Sequence, residues 1–160
     1  MEKIEQSKHF LFIAGALRER SSLESTQLQL AHELWGLRTA LIRDNLRRYL
    51  TAESRALVYA LKIGICAGFK IASEVLALGE LSEFIREDLR NETACGFIRI
   101  AEVRSWESSP EESLEVLRRT LEVPDHAELT RRLNLGMHGL TQPQYDAILA
   151  SLNHGSDGQR

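Results

Sequence analysis

The stretch that decides the fold is "ALKIGICAGFKIASEVLALG", residues 60–79. Nearly all of its side chains are apolar, yet it contains Lys62, Lys70 and Glu74. On a helical wheel these charged side chains occupy about one third of the circumference, and apolar side chains occupy the rest. The pattern predicts a buried central helix over about 52–78, in a soluble bundle, with its polar stripe reaching solvent or a partner.

The same stretch is a poor candidate for a membrane span. A span needs about twenty residues with few or no charges, because charge inside the bilayer is costly. Gly64 and Gly68 fall together on the apolar side of the predicted helix, where they form a flat patch that a second helix can approach closely. We therefore expect a soluble protein with no membrane segment.

The segments on either side also show helical spacing. A second long helix is predicted over about 23–50, with a leucine seam on one face and a separate apolar flank on another. Residues 3–19 read as a first helix, with a strand over Phe10–Ala14 as the alternative. Residues 81–91 predict a short helix with its apolar side chains facing inward. Residues 93–106 fit a strand or a helix, and helix is favoured because a lone strand would have no partner.

Capping residues mark four expected helix starts. A capping residue accepts a hydrogen bond from the backbone N–H two or three positions later. The four starts are at Ser21, with Glu24 three positions later; at Ser109, followed by Pro110; at Asp125, with Glu128 three positions later; and at Thr141, before a last helix. The expected fold class is therefore all-α, a single-domain bundle of about six to seven helices over 1–153, followed by a flexible tail over 154–160.

Charge is unevenly distributed along the chain. The net charge of the 160 residues is −3. Residues 18–70 contain nine basic and five acidic side chains, and residues 71–128 contain six basic and fourteen acidic side chains. The acidic total argues against a nucleic-acid partner. The two segments can neutralise each other within one fold or across a homo-oligomer.

Known catalytic and metal-binding patterns are missing from the sequence. His32 and Glu33 begin an HExxH-like pattern, but position 36 is glycine. Cys66 and Cys95 are isolated, as expected for two thiols in a reducing compartment. We predict no catalytic residue, no cofactor and no metal. Acidic residues near the start do not fit a secretory signal, which favours a cytoplasmic location.

The second predicted helix is the candidate interaction surface. A helix of about 28 residues spans about 42 Å, more than the core of a small bundle requires. One of its apolar faces would be left exposed in a monomer, so we predict a symmetric homodimer that buries it. Its arginines suit an acidic protein surface, since guanidinium binds carboxylates bidentately. The candidate residues are Leu30, Leu34, Trp35, Leu37, Leu41, Arg43, Arg47 and Arg48.

Three functions compete on these grounds. The favoured one is a non-enzymatic cytosolic regulatory or adaptor protein, bacterial in the style of its composition, acting as a homodimer through protein–protein contacts. The first alternative is a DNA-binding regulator that uses a helix-turn-helix-like hairpin over about 126–152. That hairpin is unusual in offering no Lys or Arg from its second helix. The second alternative is an enzyme or small-ligand binder with a pocket beside the central helix.

Overall fold

The described chain contains six strands and six α-helices. The computed structural model describes residues 8–15, 20–89 and 95–157. The elements are β1 (His9–Ala14), α1 (Ser22–Ala31), β2 (Leu34–Leu37), α2 (Ala40–Tyr49), β3 (Arg55–Ala60), β4 (Gly64–Ile71), a 3-10 turn (Leu78–Glu80), α3 (Glu83–Asp88), β5 (Gly96–Ser105), α4 (Pro110–Thr120), α5 (His126–Leu133), β6 (Met137–Leu140) and α6 (Gln142–Asp157).

The strands form one mixed sheet in the order β2-β5-β4-β3-β1-β6. Strands β1 and β3 run parallel, with Phe12 opposite Val58. The other neighbours are antiparallel, and β6 pairs with β1 through Phe10 and Gly139. The short strands β2 and β6 are therefore the two edges, and the longer strands lie between them.

Helices cover both faces of this sheet. Alternate side chains of a strand point to opposite faces. Accordingly Phe10 and Phe12 join the core beneath α1 and α2, whereas Leu11 joins the core beneath α4, α5 and α6. A third, smaller cluster around Leu34 and Phe97 lies near α3. The central strands are thus buried on both sides and lack the polar alternation of a half-exposed strand.

The predicted central helix is wrong. Residues 55–60 and 64–71 are the adjacent strands β3 and β4, joined by a three-residue turn. Lys62 in that turn has a φ of 70°, and Gly64, the first residue of β4, has a φ of 111°, a conformation that glycine adopts without steric cost. A continuous apolar run is typical of a strand buried on both faces, and periodicity alone cannot distinguish it from a buried helix.

The predicted all-α bundle is wrong in three further segments. The helix expected over 23–50 is interrupted by β2, and Glu33, with a φ of 55°, stands at the break. The strand alternative for residues 10–14 is confirmed as β1, so the helix favoured over 3–19 is wrong there, and residues 3–7 and 16–19 lie outside the described ranges. The strand alternative for 93–106 is confirmed over Gly96–Ser105 as β5, and residues 93–94 lie outside the described ranges. Helix is favoured in both on the sequence alone because their partner strands are distant and themselves resemble helices. The short helix predicted over 81–91 is confirmed in part as α3, although its Phe84 is 75% exposed rather than inward.

The predicted helix starts are confirmed. Ser21 and Glu24 form a reciprocal capping box at α1. Ser109 caps α4 with Pro110 at its first position, and the Asp125 carboxylate accepts from the Glu128 N–H at α5. The hydroxyl of Thr141 accepts from the Gln144 N–H, 3.3 Å away, at α6. Each cap depends only on residues within one helical turn, so it forms in this α/β fold as it would in an all-α bundle.

Two other predictions depended on the all-α fold. The homodimer was predicted from one long helix with two apolar faces, and that helix does not exist; Leu34 and Trp35 are buried inside the chain's own core. The domain limits 1–153 and the tail 154–160 stay a prediction, and α6 continues to Asp157. None of the helices in the described ranges is long and apolar enough to cross a membrane.

Candidate functional site

An open cleft of about 620 Å³ lies where α2, α5 and β6 meet. Helix α2 contributes Leu41, Ile42, Asn45 and Tyr49, α5 contributes Arg131 and Arg132, and β6 contributes Met137, His138 and Gly139. Phe10, Leu121, Leu135 and Gln144 complete the lining. We call this the arginine cleft, because its lining among the described residues includes Arg131 and Arg132 and no lysine, aspartate or glutamate.

The wall formed by α2 follows from its local sequence. Thr39 caps the helix by accepting from the Ile42 N–H, 3.2 Å away. Ile42 and Leu46 then face the core, being 8% and 0% exposed. Residues four apart lie on the same side of a helix, so Asn45 and Tyr49 both face the cleft.

The wall formed by α5 carries excess positive charge. Leu129 and Leu133 anchor this helix in the core, which leaves the intervening arginines at the surface. Arg131 and Arg132 share one carboxylate, that of Glu128, at N–O distances of 2.9 Å and 3.3 Å. The hydrogen bond from Arg131 is the main reason why the pKa of Glu128 falls to about 2. Two guanidinium groups with one carboxylate leave a positive charge at the cleft.

The end of α2 carries two more arginines, of which only Arg48 contacts a residue of the cleft; Arg47 is about half a turn from Asn45 and Tyr49 and faces away from it. Arg47 and Arg48 are exposed in the last turn of the helix, where positive charge also suits the helix dipole. The Arg48 guanidinium lies over the ring of Tyr49, 5.3 Å from its centroid. Neither arginine forms an ion pair with a described residue. Arg43, by contrast, is paired with Asp44 at 3.0 Å.

The polar groups inside the cleft come from amides and from an edge strand. The Gln144 side-chain oxygen accepts from the Thr141 N–H at 3.0 Å, which fixes the amide in place. Strand β6 pairs with β1 on one side only, so half of its backbone polar groups point away from the sheet. The cleft therefore combines an apolar floor, a few polar groups and a basic rim, which is the usual composition of a binding site.

Two further clefts differ in charge. One, beside the Trp106 indole and α1, has Glu107 as its charged side chain. The other, beside α6, contains Arg55 and Arg104 together with Glu53, Glu102 and Asp146. Neither has the excess positive charge of the arginine cleft.

Potential metal ligands are not grouped in the described ranges. No cluster of three His, Cys, Asp or Glu side chains there could hold a metal ion. Cys66 borders the cleft beside Trp106, but burial raises the pKa of its thiol to about 11. A thiol that stays protonated is a weak nucleophile.

The structure divides the predicted interaction residues into two groups. Leu34, Trp35 and Leu37 are buried in strand β2, and Leu30 is half-buried at the end of α1. Leu41, Arg43, Arg47 and Arg48 lie on α2, where Leu41 is 63% exposed and lines the cleft. As an interaction surface, the second group stays a prediction.

The other half of the cleft was not predicted. Arg131 and Arg132 belong to the first helix of the expected hairpin, and nothing in their spacing indicates that they would meet α2. Phe10 reaches the cleft because β1 pairs with β6 over a separation of more than one hundred residues. In the sequence of this segment, only the adjacent Arg131 and Arg132 indicate a basic surface.

Comparisons with known proteins show the fold. Neither the protein-family models nor the curated proteins include a match. A crystal structure of a Pseudomonas putida protein is 13% identical, with a TM-score of 0.53, covering 89% of this chain and 98% of that one. The DUF55 domain of human thymocyte nuclear protein 1 is 16% identical, with a TM-score of 0.54, covering 89% and 97%.

Human THYN1 in complex with 5-methylcytosine-containing DNA is similar as well. It is 17% identical, with a TM-score of 0.52, and covers 90% of this chain and 96% of that chain. A fold of this kind is thus found in a complex with DNA, so the sequence-based exclusion of nucleic acid is wrong. The net charge of −3 is a sum over all 160 residues, so it does not indicate the local excess of arginine around one cleft.

Proposed function

We propose that this protein binds nucleic acid through the arginine cleft. The observation that carries the proposal is the charge of that cleft: Arg131 and Arg132 line it, and no acidic side chain of the described residues does. Arg48, whose guanidinium lies over the ring of the lining residue Tyr49, extends the same charge to the end of α2. The likeness of the fold to human THYN1, which was solved with DNA, supports the same class of ligand.

Arginine suits this role for a physical reason. Its planar guanidinium presents paired N–H donors that match phosphate oxygens, and it remains charged at any ordinary pH. Each phosphate that an arginine neutralises releases condensed counterions from the nucleic acid, which favours binding at low salt. Arg48 is also held in place by the Tyr49 ring, so less side-chain freedom is lost on binding.

The predicted DNA-binding hairpin takes part in this proposal in a changed form. Residues 126–152 contain α5, the strand β6 and most of α6, so the segment is helix–strand–helix rather than helix-turn-helix. A recognition helix inserted in the major groove is not needed. Instead α5 supplies Arg131 and Arg132, and α6 supplies Gln144. A cytoplasmic location, which cell fractionation would test, fits this function.

The test is a salt titration of binding. Fluorescence anisotropy of labelled single-stranded and duplex oligonucleotides should give an affinity that falls linearly with the logarithm of salt concentration. In Arg48→Ala/Arg132→Ala, which removes one arginine from each wall of the cleft, the steepness of that line should fall by about 1 for each phosphate that is no longer neutralised. The charge-matched control is Arg86→Ala/Arg99→Ala, which removes two exposed arginines that do not line the cleft. An equal effect of both double variants would show non-specific attraction and refute the site.

A further inference from the structure

We infer that the arginine cleft holds one unstacked nucleobase, so that the protein prefers single-stranded to duplex nucleic acid. This inference rests on the nucleic-acid binding proposed above. It concerns the interior of the cleft, whereas the proposed function rests on its charged rim.

The interior offers the surfaces that a planar base requires. Phe10, Ile42 and Met137 form an apolar floor, and Tyr49 stands at one side with Arg48 against its ring. Unpaired bases stack on aromatic rings and on guanidinium planes. The cleft volume of about 620 Å³ lies within the range of small-molecule sites, about 300–1,000 Å³. A base would also cover Leu41, which is 63% exposed at the edge of the cleft.

The polar groups in the cleft match the edge of a base. Among the described residues the Asn45 side chain has no hydrogen-bond partner, so both its donor and its acceptor are available. The Gln144 oxygen is occupied by the Thr141 N–H, which leaves its NH₂ group to donate. An amide that offers a donor beside an acceptor can bind a base edge bidentately. Such an edge is accessible only when the base is unpaired or its groove is open.

The positions of the charges agree with this arrangement. Arg131 and Arg132 lie on one side of the cleft, and Arg48 lies on the other side, against Tyr49. A base inside the cleft would be flanked by its 5′ and 3′ phosphates, and both would then meet arginine. A base within a duplex is stacked and paired, so placing it here first requires that it be extruded, at a cost in free energy.

The experiment separates bases from phosphates. The full chain is titrated with an oligothymidylate of about eight nucleotides and with an abasic tetrahydrofuran–phosphate polymer of the same length and charge. At one fixed salt concentration we expect the wild type to bind the oligothymidylate at least about fivefold more tightly, because base stacking contributes to binding. The same oligothymidylate paired in a duplex should bind more weakly than the free strand.

Two variants localise the effect. Asn45→Trp fills the cleft and should abolish the preference for bases while the abasic polymer still binds. Asp44→Trp places the same side chain one residue away, at a position that does not line the cleft, and should keep the preference. Circular dichroism confirms that each variant is folded. Equal binding of both polymers by the wild type would overturn this inference alone, and binding of neither polymer would overturn the proposed function as well.

Discussion

The imidazole of His9 stacks on the ring of Tyr145, with centroids 4.4 Å apart. His9 is 3% exposed, and both of its ring nitrogens are hydrogen-bonded. Nδ1 accepts from the Arg55 N–H at 3.0 Å, so in the neutral ring Nε2 carries the proton and donates to Gln142 at 2.7 Å. One side chain thereby joins β1, β3 and α6.

The first prediction concerns this histidine. His9→Leu should lower the free energy of unfolding by about 1–3 kcal/mol, because it leaves a buried N–H without an acceptor. Urea denaturation followed by circular dichroism measures the loss. His126→Leu is the control, since the His126 side chain is 57% exposed, and it should change stability by about 0.5 kcal/mol or less. Similar losses in both variants would show that the His9 hydrogen bonds contribute little.

The second prediction concerns Gly68. A Cβ atom added there would lie 3.0 Å from both the Leu57 side chain and the Trp106 ring, which is tighter than ordinary contact. Gly68→Leu should therefore destabilise the protein by about 1–3 kcal/mol and shift the Trp106 fluorescence, because overpacking forces the neighbours to move. Gly79→Leu meets no atom within 4 Å and should be nearly neutral. A stable Gly68→Leu protein with unchanged fluorescence would contradict this close packing of β4 against Leu57 and Trp106.

The third prediction concerns acid stability. Hydrogen bonds from Arg118 and from Arg131 lower the pKa values of Glu115 and Glu128, respectively, to about 2. A carboxyl whose pKa is lower in the folded state stabilises the protein above its unfolded pKa of about 4.5, and this contribution is lost as pH falls from there toward 2. In urea denaturation, Glu115→Gln/Glu128→Gln should show a weaker dependence on pH over that range. A dependence equal to that of the wild type would contradict it.

The fourth prediction concerns the two thiols. Cys66 is 8% exposed, and burial raises the pKa of its thiol to about 11. The thiolate is the reactive form, so alkylation of the native protein at pH 8 should modify Cys66 much more slowly than the half-buried Cys95. Peptide mass spectrometry locates the adduct, and both thiols should react in denaturant. Rapid modification of native Cys66 would mean that the sheet opens readily at β4.

Local features of this protein could be predicted from its sequence, and features that depend on distant contacts could not. The caps at Ser21, Ser109 and Asp125 act within three residues, and each is present in the structure. The strands β3 and β4 resemble a helix in sequence because their burial on both faces removes the alternation that identifies a strand. Aromatic and β-branched residues such as Tyr59, Ile65 and Phe69 were the available strand signal, but propensity is weak evidence beside a long apolar run.

The candidate site, too, could be predicted from the sequence only in part. The basic run that ends with Arg47 and Arg48 was visible in the sequence, and it lies exposed on a helix as expected. Its neighbours across the cleft, Arg131 and Arg132, are more than eighty positions away. They come close to α2 because β6 pairs with β1, and pairing between such distant segments has no local signature.

The order of the strands also bears on how the chain folds during synthesis. Strand β1 is made before the other strands of the sheet, but its neighbours are β3 and β6, and β6 is the last strand of the sheet to be made. At about 5–20 residues per second, the apolar edge of β1 on that side stays uncovered for several seconds or longer. An unpaired edge of this kind can pair with other chains. Chains truncated before residue 137 should therefore aggregate, and the full-length protein should fold more slowly than a helical bundle of equal size.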